Sequence, residues 1–280
     1  MKRIYPIILA IASLLLVLSP IEAGADDDDT LVVAPHHRFR GLTQAELANR
    51  WWQWALSYPA PVNPLLDTTG AFSHLGDRGP VFFLAATTGT VGNHQVSRTV
   101  TIMSDQAVFF PVMPFITWGA ISAYTPGTYP NLLRDAEETA GIEPSGAAPN
   151  TTLLLTLNGS PLPLPEKTPS LFDFRQTSPN LFNLFVPANN AFGFTTSLYP
   201  GNFPSVSDGW WVLLKPLPVG HYTLRFRGDT TGIGAYAASP PFFTDTTYKI
   251  IVRKRANHRH GVRSAAKANE RRSKATPAAR

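Results

Sequence analysis

The sequence predicts a mainly β protein, an antiparallel β-sandwich of jelly-roll or immunoglobulin-like kind with an N-terminal amphipathic helix and one short inserted helix. Three observations predict it. From Pro80 onward, short β-rich runs are separated by Pro, Gly and Asn. Several of them alternate, as in Tyr222-Thr223-Leu224-Arg225-Phe226-Arg227, where the apolar side chains share one face. Helical patterning is confined to two places, and no repeat of propeller or solenoid period is present.

The first helix follows Thr43-Gln44-Ala45-Glu46, which has capping-box spacing. Leu47, Trp51 and Trp54 fall on one face with Ala48, Trp52 and Ala55 beside them, and Pro59 and Pro61 end the helix. Expected strands are Val81–Ala86, Ser97–Met103, Ala107–Val112, Thr151–Leu157, Leu171–Arg175, Phe182–Val186, Trp210–Lys215, Tyr222–Arg227 and Thr246–Val252. Asn158-Gly159 is a hairpin signal, and Lys215 to Gly220 is a turn-rich link. The inserted helix runs from Pro130 to about Ala140, with Gly141 past its end.

Four segments organise the chain. Residues 1–25 read as a signal peptide: Lys2 and Arg3 lead, the apolar run Ile7 to Leu18 follows, and Ala23-Gly24-Ala25 offers cleavage after Ala25. Ile4 to Leu18, interrupted by Pro6, is shorter than the roughly 20 residues of a membrane-spanning helix. Residues 26–42 read as an acidic, flexible segment, 43–252 as a single β-sandwich domain with its helix, and 253–280 as a basic disordered tail. The expected location is periplasmic or extracellular, without a transmembrane segment after cleavage.

Cysteine is absent, which removes a lipoprotein anchor, disulfides, thiol nucleophiles and Cys-based zinc sites. The net charge of +5 hides a division. Residues 253–280 hold ten Lys or Arg against Glu270 alone, whereas 26–252 carry twelve basic residues against seventeen acidic ones, a net of −5. Nucleic acid is therefore a poor candidate partner. An anionic envelope polymer or membrane surface suits the tail through Arg253, Lys254, Arg255, Arg259, Arg263, Lys267, Arg271, Arg272 and Lys274. A solvated extension is the plainer alternative. The run Asp26 to Asp29 lacks the alternation and glycine of a calcium loop and reads as a spacer that could pair with the tail.

The set Trp51-Trp52-Gln53-Trp54-Ala55, Asn63-Pro64, Asp67-Thr68-Thr69-Gly70, Gly79-Pro80-Val81-Phe82-Phe83-Leu84 and Phe109-Phe110-Pro111 resembles a group of uncharacterised exported bacterial proteins. So do Pro187-Ala188-Asn189-Asn190, Asp208-Gly209-Trp210-Trp211 and Pro218-Val219-Gly220-His221-Tyr222-Thr223-Leu224. The resemblance spans about Trp51 to Val252 and implies a bacterial source and one domain, with no activity to transfer. Members tend to carry cysteines where this chain has Ser73 and Val100. The joint absence implies that these positions lie within disulfide reach, Cα atoms within about 7 Å.

Catalytic motifs are missing: there is no Gly-x-Ser-x-Gly elbow, His-Glu-x-x-His or phosphate loop. A polysaccharide-active hydrolase would have to use a dispersed carboxylate pair, for which Asp67 and Asp208 are the candidates, against a plainer reading of Asp208-Gly209 as a turn and Asp67 as a loop cap. Trp52, Trp210 and Trp211 are candidate ligand-binding aromatics, with core packing the alternative. His74, Asp77 and His94, or His258 and His260 in the tail, are weak metal candidates, and no metal or cofactor is expected. Asn150 and Asn158 head glycosylation sequons, relevant only in a host that has that machinery. The leading expectation is an exported, non-catalytic binding or structural envelope protein.

Overall fold

A computed structural model describes residues 30–88, 95–119, 128–195 and 198–255. The signal peptide, Ala25, Asp26–Asp29, His94, His258, His260 and the tail cations Arg259, Arg263, Lys267, Arg271, Arg272 and Lys274 lie outside these residues. The elements are α1 (Gln44–Leu56), β1 (Val81–Phe83), β2 (Gln95–Met103), β3 (Ala107–Trp118), α2 (Thr128–Thr139), β4 (Thr152–Leu157), β5 (Ser160–Pro161), β6 (Phe182–Val186), β7 (Gly201–Leu214), β8 (Gly220–Thr230) and β9 (Phe242–Arg253). No helix among the described residues is long and apolar enough to cross a membrane.

The protein is mainly β, built on two mixed sheets. One has the order β1-β3-β7-β6 and the other β2-β9-β8-β4-β5. The expectation of wholly antiparallel pairing is corrected here, because β1 runs parallel to β3 and β2 parallel to β9. Alternation along a strand tells which face is buried but not the direction of its neighbour. The β2–β3 and β7–β8 connections each cross from one sheet to the other, so the strands they join are not partners.

Three layers result. One core lies between the sheets and includes Val108, Phe110, Trp210, Val212 and Leu214 from the first, with Ile102, Leu224, Phe226, Tyr248 and Ile250 from the second. The other core lies between the first sheet and α1, where Phe83, Phe109, Trp211 and Leu213 meet Leu47, Trp51, Trp52 and Trp54. Strands β3 and β7 are thus covered on both faces, which explains their continuous apolar runs. A bulge between Pro111 and Met113 turns both Val112 and Met113 toward the inter-sheet core.

The cap of α1 forms as its spacing predicts: the Thr43 hydroxyl accepts from the Glu46 N–H, and the Glu46 carboxylate accepts from the Thr43 N–H at 2.7 Å. At the other end the Asn63 side chain donates to the carbonyls of Ala55 and Tyr58, so it closes the helix from the first buried turn beyond it. Trp51 is fully buried, donates to the Leu84 carbonyl at 2.9 Å, and meets the rings of Trp52 and Trp211 edge-on.

Three local expectations change. Residues 30–42 are not a flexible segment: Val32 and Ala34 are buried, Val33 donates to the Leu213 carbonyl, and Lys215 donates to that of Leu31. This short apolar stretch covers part of the β7 edge that β6 leaves open, as do Gln176 and Ser178, which donate to Gly209 and Ser207. Leu171–Phe174 is a single 3-10 turn, not a strand, because Ser170 and Asp173 cap it reciprocally. Asp208-Gly209 lies inside β7 opposite Phe115 and Pro114, not in a turn.

Gly209 is required there. Its φ is +143°, and a Cβ would stand 2.4 Å from the Met113 carbonyl oxygen. Asn158-Gly159 forms the expected β4–β5 hairpin turn, both residues having positive φ. The inserted helix is present as α2, and Ala140 and Ile142 after it enter the inter-sheet core.

Candidate functional site

Asp208 sits at the end of the inter-sheet core that α2 covers, and its side chain has no solvent exposure. Arg175, just past the 3-10 turn, grips it with two N–H groups: Nε to Oδ1 at 3.0 Å and Nη2 to Oδ2 at 2.6 Å. The same Nη2 donates to Glu137 on α2 at 2.6 Å, and the Gly209 N–H donates to Asp208 Oδ1 at 2.7 Å. Burial disfavours the Arg175 charge, yet the Asp208 carboxylate, aided by Glu137, outweighs it and holds the guanidinium pKa above its ordinary value. Tyr129 on α2 is pushed up by burial and by the negative charges of Asp208 and Glu137. The cluster locks α2 and the 3-10 turn onto β7, and a carboxylate so enclosed has no face for a substrate.

Asp67 is the cap of its own loop. Its Oδ1 accepts from the Thr69 and Gly70 N–H groups and the Thr69 hydroxyl, and its Oδ2 accepts from the Phe72 N–H at 2.8 Å. Burial raises the carboxyl pKa, but the backbone donors of Phe72, Thr69 and Gly70 outweigh it and set it below the usual aspartate value. Its carbonyl accepts from buried Arg98, which also reaches the Ala85 carbonyl just past β1, whereas Asp208 lies on β7 beyond β3. The two carboxylates share no hydrogen-bond partner: Asp67 is taken up by its own loop and Asp208 is enclosed with Arg175, so the structure does not assemble the carboxylate site.

The aromatic candidates are corrected too. Trp52, Trp210 and Trp211 are 4%, 1% and 0% exposed, and none offers a ring face to a ligand. Successive side chains of a strand point to opposite faces, and both faces of β7 are covered, so the Trp210-Trp211 pair is buried twice over. His74 is exposed with its Nδ1 3.1 Å from the Ala71 carbonyl oxygen, and Asp77 accepts from Gly79 and Gln106. Among the described residues no three His, Asp or Glu side chains gather as metal ligands. The turn that carries Ser73 packs on β2, which carries Val100, and both residues are buried.

A cleft of about 700 Å³ opens between α1, the turn at Phe39–Leu42 and the start of β1. Its apolar lining is half-buried Phe39 and Leu42 over the edges of the largely buried Leu47, Trp54, Val81 and Phe83, its polar lining includes Gln53 and Ser57, and exposed Arg40, Arg50 and Arg78 border it. None of these three guanidiniums has an ion-pair partner among the described residues. The nearby acids are already engaged: Glu46 by Thr43 and Arg38, Asp77 by Gly79 and Gln106, Asp105 by Arg255.

The root of the tail adjoins this rim. Arg253 ends β9, and Arg253, Lys254 and Arg255 are exposed. Arg255 donates to Asp105 at 2.8 Å, so that one cation is committed to the body of the protein. Its hydrogen bond lowers the Asp105 pKa, and the next residue, Gln106, donates to Asp77 and to the Gly79 carbonyl beside Arg78, so the root of the tail lies next to the cleft. Sequence reading did not single out Arg40, Arg50 and Arg78, because the first and last are 38 positions apart and only folding brings them together. No family model, curated protein or solved structure matches this chain.

Proposed function

We propose that this is an exported, non-catalytic protein of the bacterial envelope, held to an anionic polymer or membrane surface by its basic tail. The observation that carries the reading is the division of charge, a tail with ten cations and one acid attached to a body with a net of −5. The export signal before Ala25, the missing catalytic motifs and the resemblance to exported bacterial proteins support it. The exposed Arg253 and Lys254 carry the charge of the tail onto the end of β9.

The test compares the exported chain with a chain lacking residues 253–280 on immobilised lipopolysaccharide. The full chain should be retained at low ionic strength and released as salt shortens the screening length from about 10 Å to about 3 Å. The shortened chain should be retained at least about tenfold more weakly, several surface charges having been lost. Equal retention of the two chains removes the role of the tail. N-terminal sequencing of the exported protein should begin at Asp26.

A further inference from the structure

We infer that the cleft under Arg40, Arg50 and Arg78 seats an anionic membrane lipid, its phosphate at the guanidinium rim and the first part of an acyl chain on the apolar side. The inference rests on the envelope reading and deepens it by naming the partner of the body as distinct from that of the tail. Three features support it. The volume of about 700 Å³ lies within the range of small-molecule sites, and half-buried Phe39 and Leu42 give the cleft an apolar side next to its polar Gln53, Ser57 and arginine lining.

The second feature is charge. Arg40, Arg50 and Arg78 line one cleft and none of them makes a direct ion pair among the described residues, which leaves their N–H groups open to a ligand, and guanidiniums match phosphate oxygens in geometry. Arg40 is also held in place by its backbone. It occupies the left-handed region at φ +50° in a two-residue turn with Gly41, closed by reciprocal hydrogen bonds between Phe39 and Leu42. A side chain other than glycine in that region is strained, and such strain gathers at ligand sites.

The third feature is position. A polybasic segment by itself gives reversible membrane attachment, and stable attachment takes a second, apolar signal. The root of the tail and the cleft share one end of the molecule: Arg255 bonds Asp105, and the next residue, Gln106, donates to Asp77 and to the Gly79 carbonyl on either side of Arg78. Tail and cleft can therefore engage one surface together.

The full mature chain is titrated calorimetrically with monomeric dodecyl phosphate, with inorganic phosphate and with dodecyl maltoside, and is sedimented with phosphatidylcholine vesicles with and without phosphatidylglycerol. Dodecyl phosphate should bind one per chain, and Arg40→Gln/Arg50→Gln/Arg78→Gln should weaken it by about tenfold or more while the thermal midpoint stays put. A full-length chain with Arg259, Arg263, Lys267, Arg271, Arg272 and Lys274 changed to Gln should keep dodecyl phosphate binding within about twofold and lose vesicle binding, as expected for a screened surface attraction.

Equal binding of inorganic phosphate or of dodecyl maltoside overturns the inference, as does an unaffected triple variant. A dimer that dissociates in the triple variant also overturns it, since a second copy then covers the cleft. So does a cleft that accepts the probe only after Asp26–Asp29 are changed to Asn, since the chain then fills its own site. If the tail variant instead keeps both activities, the tail reading fails and the cleft site stands.

Discussion

Arg175 and Asp208 offer a test of how the buried cluster holds the fold, and the two ends of the pair should respond unequally. The Asp208 side chain is 0% exposed, whereas that of Arg175 is 23% exposed and has Glu137 as a second partner. Arg175→Met strands a carboxylate in the core with only the Gly209 N–H as donor, and removing one partner of a buried pair costs on the order of 3–5 kcal/mol. Asp208→Asn keeps a carbonyl oxygen for Gly209 and leaves Arg175 with Glu137 and some water, so it should cost less, about 2 kcal/mol. In the double variant no stranded charge remains, and its loss should be no larger than that of Arg175→Met alone. Urea unfolding with a constant m-value gives the energies, and about 4 kcal/mol corresponds to a midpoint lower by roughly 8–16 °C in a domain of this size. A costlier Asp208→Asn, or losses that add to within about 0.5 kcal/mol, would show that the cluster is not a coupled pair.

The Asp67 pKa is lower in the folded chain, so the stability it contributes is complete above the ordinary value of 3.8 and is lost as pH falls through the lower folded value. Asp67→Asn should therefore destabilise at neutral pH and flatten the acid limb of stability against pH; a variant with an unchanged limb counts against the loop cap. Gly209→Ala should cost more than about 2 kcal/mol through its φ and the Met113 carbonyl, seen as a drop in thermal midpoint, and a neutral result would disprove the bulge geometry. Ser73→Cys/Val100→Cys should oxidise to a disulfide that stabilises by about 3 kcal/mol through loop closure, measured with and without reductant. The Ser73 hydroxyl is buried without a hydrogen-bond partner, so its replacement loses little, and failure to oxidise would place the two positions out of reach.

Features written in adjacent residues could be read before folding. Thr43 and Glu46 are three residues apart, the β8 alternation has period two, and Asn158-Gly159 turns on its own backbone preference. The core role of Trp51 and Trp54 also follows from helical spacing. Leu171–Arg175 misled because five residues with three apolar side chains interrupted by Asp173 suit a strand or a turn alike, and the Ser170–Asp173 cap decided it. The arginine cleft and the Arg175 cluster left no local trace: Arg175 meets a carboxylate 33 positions away.

By itself, the sequence determined that the protein is mainly β, that a capped helix follows Thr43, and how its charge is divided, since propensity, capping and composition are local properties. Only the tertiary structure decided that two strand pairs are parallel, that Asp67 and Asp208 are a loop cap and a buried ion pair, and that three distant arginines share one rim. The reason is physical: a residue's neighbours across a sheet or cleft depend on chain crossings, which no spacing along the chain records.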